Sequence, residues 1–283
     1  MRTIILYTQQ NFVIVIIIGV YSKKMREIIR IPKVQIILLL LFLLLTAYPL
    51  IGFQLAVYLF ISCLGYCVLS DLFFTYLLRR KLFIPYAAVV TSLIITLIVD
   101  PSIKWYQLFL ICIIAMGIKN FVRIGGRHVF NPAASGFFVG WIILGINPSW
   151  WGLTLPVDNT LLQILLYIPL IGIAYVSALR LRRFGTILAY LLFYSIIELV
   201  NGTSTIGLLQ TLINPGSLFY ALVMLPEPQT SPVMKTRQIL YGLMIAVLII
   251  SFVFLLNKLP ISRPPDILIS ALLIGNILFF KFR

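Results

Sequence analysis

The sequence predicts an all-α membrane protein of about ten transmembrane helices, arranged as two five-helix halves. Three observations predict it. Hydrophobic residues make up 61% of the 283 positions and charged residues only 10%, against about 45–50% and about 25% in soluble proteins. The mean hydropathy is +1.10. The apolar residues are gathered into runs near the length of about 20 residues that crosses a bilayer as a helix. The 22 basic residues fall in short clusters between those runs. A soluble domain of this size could not bury so much apolar side chain, which excludes a soluble enzyme and a disordered tail. The net charge of +15 would suit nucleic acid if it formed one face. Interleaved with apolar runs, it instead meets anionic lipid head groups. The lipid membrane is therefore the expected partner, and nucleic acid is not.

Residues 1–30 form an N-terminal segment and 31–283 the ten-helix domain. The first apolar run, Phe12 to Val20, lies between Arg2 and the pair Lys23, Lys24. It reads as an upstream extension with a start at Met25, or as an extra segment. No small-residue cleavage site follows it, as a signal peptide would need. The ten spans are expected at 34–52, 54–78, 82–99, 103–119, 131–147, 160–179, 184–200, 206–225, 238–257 and 265–281. Asp100-Pro101 and Arg263-Pro264-Pro265-Asp266 read as turns between spans, because proline disfavours helix continuation. Trp150 and Trp151 suit an interfacial aromatic belt. Asn214-Pro215-Gly216 interrupts the eighth span, and broken helices near the midplane build sites in transport proteins.

Alternation then sorts the basic residues. With the segment before residue 34 inside, 18 basic residues lie inside and three, Lys104, Lys258 and Arg263, lie outside. This follows the positive-inside rule and places both ends of the bundle in the cytoplasm of a multi-pass cell (inner) membrane protein. Removing one middle span would spoil the split.

Two polar loops could carry chemistry. The first is Gly125-Gly126-Arg127-His128-Val129-Phe130-Asn131-Pro132-Ala133-Ala134. Gly125 and Gly126 let the backbone bend close to a ligand. Arg127 and His128 are donors, and Asn131 can cap a helix that opens at Pro132. Such a helix start attracts anions. The second is Met224-Leu225-Pro226-Glu227-Pro228-Gln229-Thr230-Ser231-Pro232, where Thr230 or Ser231 can cap a helix opening at Pro232. The plain alternative is that both loops are rigid, well-capped turns. Among the acids, Glu198 sits at an interface, and Asp71 lies within the second span, where a local polar contact or a proton or cation role are the two readings. Cys63 and Cys67 share one helix face and Cys112 lies in another span. They read as packed thiols, since one histidine and three cysteines at these spacings complete no metal cage. No metal ligand or catalytic residue is assigned.

The two loops, one after the fourth span and one after the eighth, resemble those of the NqrB/RnfD family, the membrane subunits of sodium-pumping NADH:quinone reductase and of Rnf-type electron transport complexes. The resemblance covers roughly residues 30–283. In the second loop the acid–proline pair Glu227-Pro228 and Thr230-Ser231-Pro232 match the family pattern. The resemblance implies a ten-helix bundle of two halves and flavin-mediated electron transfer. It makes Gly125, Gly126, Arg127, His128, Asn131, Thr230 and Ser231 the expected cofactor-binding residues. Larger members carry FMN on a threonine in the outer loop between the fifth and sixth spans. Here that loop, Ile146 to Asn159, is short and lacks the motif, and Thr160 has different surroundings. Covalent FMN is not expected. A noncovalent FMN or riboflavin is the implied cofactor. Other electron-transport subunits or soluble redox proteins are the implied partners, with quinone as a further candidate. NAD(P)H oxidation belongs elsewhere, because no dinucleotide fingerprint is present. Whether ion translocation is coupled stays open. A small-solute transporter or channel, or a membrane anchor for a soluble reductase, is the competing reading.

Overall fold

The structure is a computed structural model that describes residues 27–156, 159–259 and 264–282. The N-terminal run to Val20, and Lys23, Lys24, Arg26, Arg263 and Arg283 of the charge count, lie outside the described residues. The described chain is mostly helical, as an apolar environment demands of a backbone that must satisfy its own hydrogen bonds. The first half contains α1 (Pro32–Ala47), α2 (Phe53–Leu77), α3 (Tyr86–Ile98), α4 (Trp105–Phe121) and α5 (Pro132–Leu144). The second contains α6 (Thr160–Tyr175), α7 (Phe184–Val200), α8 (Thr205–Ile213), α9 (Pro215–Phe219), α10 (Lys235–Leu256) and α11 (Ile267–Leu278). The π-helical turns Val176–Arg180 and Tyr220–Met224 extend α6 and α9. A two-residue hairpin, β1 (Arg123–Ile124) and β2 (Arg127–His128), joins α4 to α5.

Each expected span overlaps one of these helices, the eighth being the pair α8 and α9. That span is broken where the sequence indicated: the axes of its two parts differ by 59°, and Asn214 Oδ1 accepts from the Gly216 and Ser217 N–H groups. Among the described residues, by length and composition alone, four helices can cross a membrane, or five with the bent pair. The other five, α3, α4, α5, α7 and α11, have 12 to 17 residues. The described residues thus hold ten apolar helical segments, of which five, counting the bent pair as one, are long enough to cross a membrane. α3 begins only at Tyr86, behind Pro85, and α5 is short because Gly145 ends it in a left-handed conformation at φ 67°. Both are buried along most or half of their length.

The long helices turn large apolar side chains such as Leu45, Leu69, Ile171 and Phe254 outward, which is the surface a lipid-facing bundle needs. Inside, small residues allow close approach. A Cβ on Gly242 of α10 would lie 2.7 Å from Thr186 O and Tyr190 N of α7. One on Gly136 of α5 would lie 2.6 Å from Ile111 O of α4. The two halves repeat this pairing. α4 packs against α2 and α5, as α10 packs against α7 and α11, while α1 meets α6 and α5 meets α11. Five helices per half invert the second copy. The Asn131 cap of α5 corresponds to the Asp266 cap of α11, at the opposite end.

The loops gather at two ends, as the alternation requires. At the basic end, Arg180 Nη2 donates to Arg30 O at 2.8 Å, and Gln238 Nε2 donates to Arg182 O at 2.8 Å. At the other, Trp150 Nε1 donates to Asp266 Oδ2 at 2.9 Å and Asn147 Nδ2 to Pro264 O at 2.8 Å. Glu198 lies at this second end, accepting from Thr203 Oγ1.

Buried polar side chains find partners between α2 and α4. Asp71 accepts from Lys119 Nζ at 2.8 Å and from Asn120 Nδ2 at 2.7 Å. Of the two readings of Asp71, the structure presents the local contact. One and two turns along the same face of α2, Cys67 and Cys63 reach Cys112 of α4, all three as buried free thiols.

Candidate functional site

The two polar loops meet. The β1–β2 hairpin turns at Gly125 and Gly126, whose φ values of 58° and 79° suit glycine. The hairpin turns His128 inward, 5% exposed, while Arg127 stays on the surface. His128 Nε2 donates to Glu227 Oε1 at 2.9 Å. Thr230 Oγ1 donates to the other oxygen, Glu227 Oε2, at 3.2 Å. Ser231 Oγ donates to Glu227 O at 2.8 Å and accepts from Arg183 Nε at 2.8 Å. Arg183 also donates from Nη2 to Pro228 O at 3.2 Å. It is only 5% exposed. Burial and the neighbouring Arg127 charge both lower its pKa. The tight turn that points it inward holds Arg182 at φ 56°. A bulky residue in that region is strained, as is common near functional sites.

Beneath the loops lies a cavity of about 490 Å³, within the range of small-molecule sites. Its walls are mostly apolar, with Ile36, Val90, Ile94 and Val223 among them, and its polar groups include Lys33, His128, Asn131, Glu227 and Gln229. Asn131 Oδ1 accepts from Ala134 N at 3.0 Å, which leaves its amide nitrogen for a ligand. The two π-helical turns adjoin this cavity: Ser177 and Val223 line it, and Ser177 Oγ donates to Leu222 O at 2.7 Å. Single-turn π segments are frequent at functional sites.

The expected site residues thus divide. His128 and Asn131 line the cavity. Gly125, Gly126 and Arg127 form the exposed tip of the hairpin above it. Thr230 and Ser231 are fully buried and brace Glu227. They cap no helix at Pro232: the next helix begins three residues later, at Lys235, behind Met234. The hydroxyls had a nearer acceptor in Glu227. Sequence reasoning left Lys33, Glu227, Gln229 and Arg183 out of the site. Arg183 was visible only as one of three clustered arginines that fix sidedness.

Among known proteins, residues 20–151 match the model of the NQR2, RnfD, RnfE family. No curated protein matches the chain.

Proposed function

Residues 20–151 match the NQR2, RnfD, RnfE family, and on that premise we propose that the chain is a membrane subunit of an Rnf/Nqr-type system whose inner cavity holds a flavin noncovalently and passes electrons to or from partner proteins or quinone. The observation that carries this is the cavity under the two joined loops. Its walls suit a flat apolar ring, and its polar groups are few and of the right kind. Asn131 Nδ2 and the Gln229 amide can donate to ring carbonyls. The His128–Glu227 pair can hold a proton at Nε2 beside the ring. Bound there, a flavin supplies one- and two-electron redox chemistry that no side chain of the chain provides. The site faces the cytoplasm by the distribution of basic residues, and other subunits bind at that end.

The broken span at Asn214 favours a second reading, passage of a small solute between the halves. Membrane vesicles separate the two. Arg127→Ala and Asn131→Ala should abolish quinone reduction at normal expression levels. Wild-type activity in both variants contradicts the electron-transfer reading.

A further inference from the structure

We propose that the groove between α7 and α10, at the basic end, binds one anionic phospholipid, with Arg182 and Lys235 holding its phosphate and the apolar slot below them holding an acyl chain. The groove and the inner cavity share no lining residue, so the lipid site stands whether or not a flavin binds.

The groove has a volume of about 640 Å³. Its floor is set by Gln238, a buried side chain. Gln238 Nε2 donates to Arg182 O at 2.8 Å and to Val233 O at 2.9 Å, and Oε1 accepts from Gly185 N at 3.1 Å. One amide therefore ties the turn before α7 to the start of α10. A Cβ on Gly185 would lie 2.8 Å from Gln238 Oε1, so a larger residue there would push the clamp apart. Both amide hydrogens are used within the protein. Gln238 shapes the groove and leaves the binding to the cations above it.

Two cations stand over this floor. The turn that buries Arg183 holds Arg182 at φ 56° and leaves it exposed, in the lining of the groove. Lys235 opens α10 one turn before Gln238, on the same helix face, and lines the groove as well. Among the described residues, the ion pairs are Lys119–Asp71 and His128–Glu227, and no acid lines the groove. α10 also starts without a side-chain cap and without an acid in its first turn. The positive end of its dipole thus adds to Lys235 where a carboxylate would ordinarily offset it. An anion is the complement that this rim lacks.

Below the cations the walls are apolar. Leu188 and Leu192 of α7 and Ile239 of α10 line the groove and are exposed, so it opens sideways toward lipid. From Gly185 to Phe193, α7 rises about 12 Å at about 1.5 Å per residue. One leaflet of hydrocarbon is about 15 Å deep, so most of an acyl chain can lie along these turns. A cationic rim above an apolar slot of this depth matches a phospholipid, whose phosphate suits the arginine fork. Basic pockets between spanning helices hold anionic head groups in the same way. A neutral quinone or an apolar partner helix would fill the slot and leave both cations uncompensated.

The test uses the full chain in nanodiscs of equal parts phosphatidylcholine and phosphatidylglycerol. Native mass spectrometry counts the lipid that stays on the protein when the disc is stripped away. The wild type should retain phosphatidylglycerol over phosphatidylcholine by at least about tenfold. Arg182→Gln and Lys235→Gln should each lower that preference about fivefold, which corresponds to about 1 kcal/mol for one basic residue at a lipid surface. Both side chains are exposed, so the unfolding temperature in phosphatidylcholine alone should not change. Lys81→Gln removes an exposed cation outside the groove and should leave the preference intact. Ala178→Phe puts a ring into the groove wall and should lower retention with both cations in place. No preference in the wild type, an equal loss in Lys81→Gln, or a preference that survives in folded Ala178→Phe overturns the proposal. Retention of phosphatidylcholine or of a co-purified quinone in place of phosphatidylglycerol does so too.

Discussion

His128 and Glu227 stand 99 positions apart in the chain and 2.9 Å apart in space. That one contact locks the loop after α4 to the loop after α9 and sets the roof of the cavity. It also leaves the Glu227 carboxylate with a second bond, from Thr230. Glu227→Ala should therefore strand two donors at once and lower stability by about 1–3 kcal/mol. A double-mutant cycle with His128→Ala, read by thermal or denaturant unfolding in nanodiscs, should give a coupling of about 0.5–3 kcal/mol. Additive effects would show that the two loops are held together by something else.

The Asp71–Lys119 pair gives a sharper contrast. Both side chains are 5% exposed or less. Lys119→Ala should destabilise by about 3–5 kcal/mol, because it leaves a buried carboxylate with only Asn120. Replacing both partners, Asp71→Leu with Lys119→Met, should recover most of that loss. A double variant as unstable as the single one would mean that the charges do more than compensate each other.

Gly242 tests the packing of α10 on α7. With Thr186 O and Tyr190 N at 2.7 Å from a new Cβ, Gly242→Ala must push two helix backbones apart. The expected cost is about 1–3 kcal/mol, as for other overpacked cores. Gly65→Ala is the control, since nothing lies within 4 Å of the added carbon. It should be neutral or slightly stabilising, because alanine favours helix over glycine by about 1 kcal/mol. Equal losses in both variants would refute the close approach.

Orientation is carried by the basic residues, and reporter fusions check it. A fusion after Arg183 should report the cytoplasm and one after Trp151 the opposite side. Both on the same side would contradict the alternation of helices described above.

Much of this was legible in the sequence, for physical reasons. Apolar runs and basic clusters mark spans directly, so each helix overlaps an expected segment, with its ends displaced by up to a few residues. Asn131-Pro132 announced a helix start, because a side-chain acceptor followed by proline suits a first turn, and Asn214-Pro215-Gly216 announced the break in the eighth span. The short helices were less visible: hydropathy continues past the end of α5, while the left-handed Gly145 that stops it contributes only one small residue to the pattern. The site was half legible. His128 and Asn131 stood out as polar residues in a turn. Lys33 and Arg183 did not, because a membrane protein needs cations at its inner end whether or not they bind anything. Pairings such as His128 with Glu227, or Cys112 with Cys63, depend on helix packing and leave no local signal. Thr230 and Ser231 misled for the same reason, since their acceptor is chosen by the fold of the loop.

The central claim is that the cavity beneath the two loops holds a flavin. Flavin absorbance per purified chain, after expression with the partner proteins, tests it most directly. Val90 lines the cavity, and Val90→Trp should fill it while leaving both loops and their hydrogen bonds in place. The account predicts a yellow wild-type protein and a colourless Val90→Trp variant at unchanged yield. A wild type without flavin, or a variant that retains as much flavin as the wild type, would contradict it.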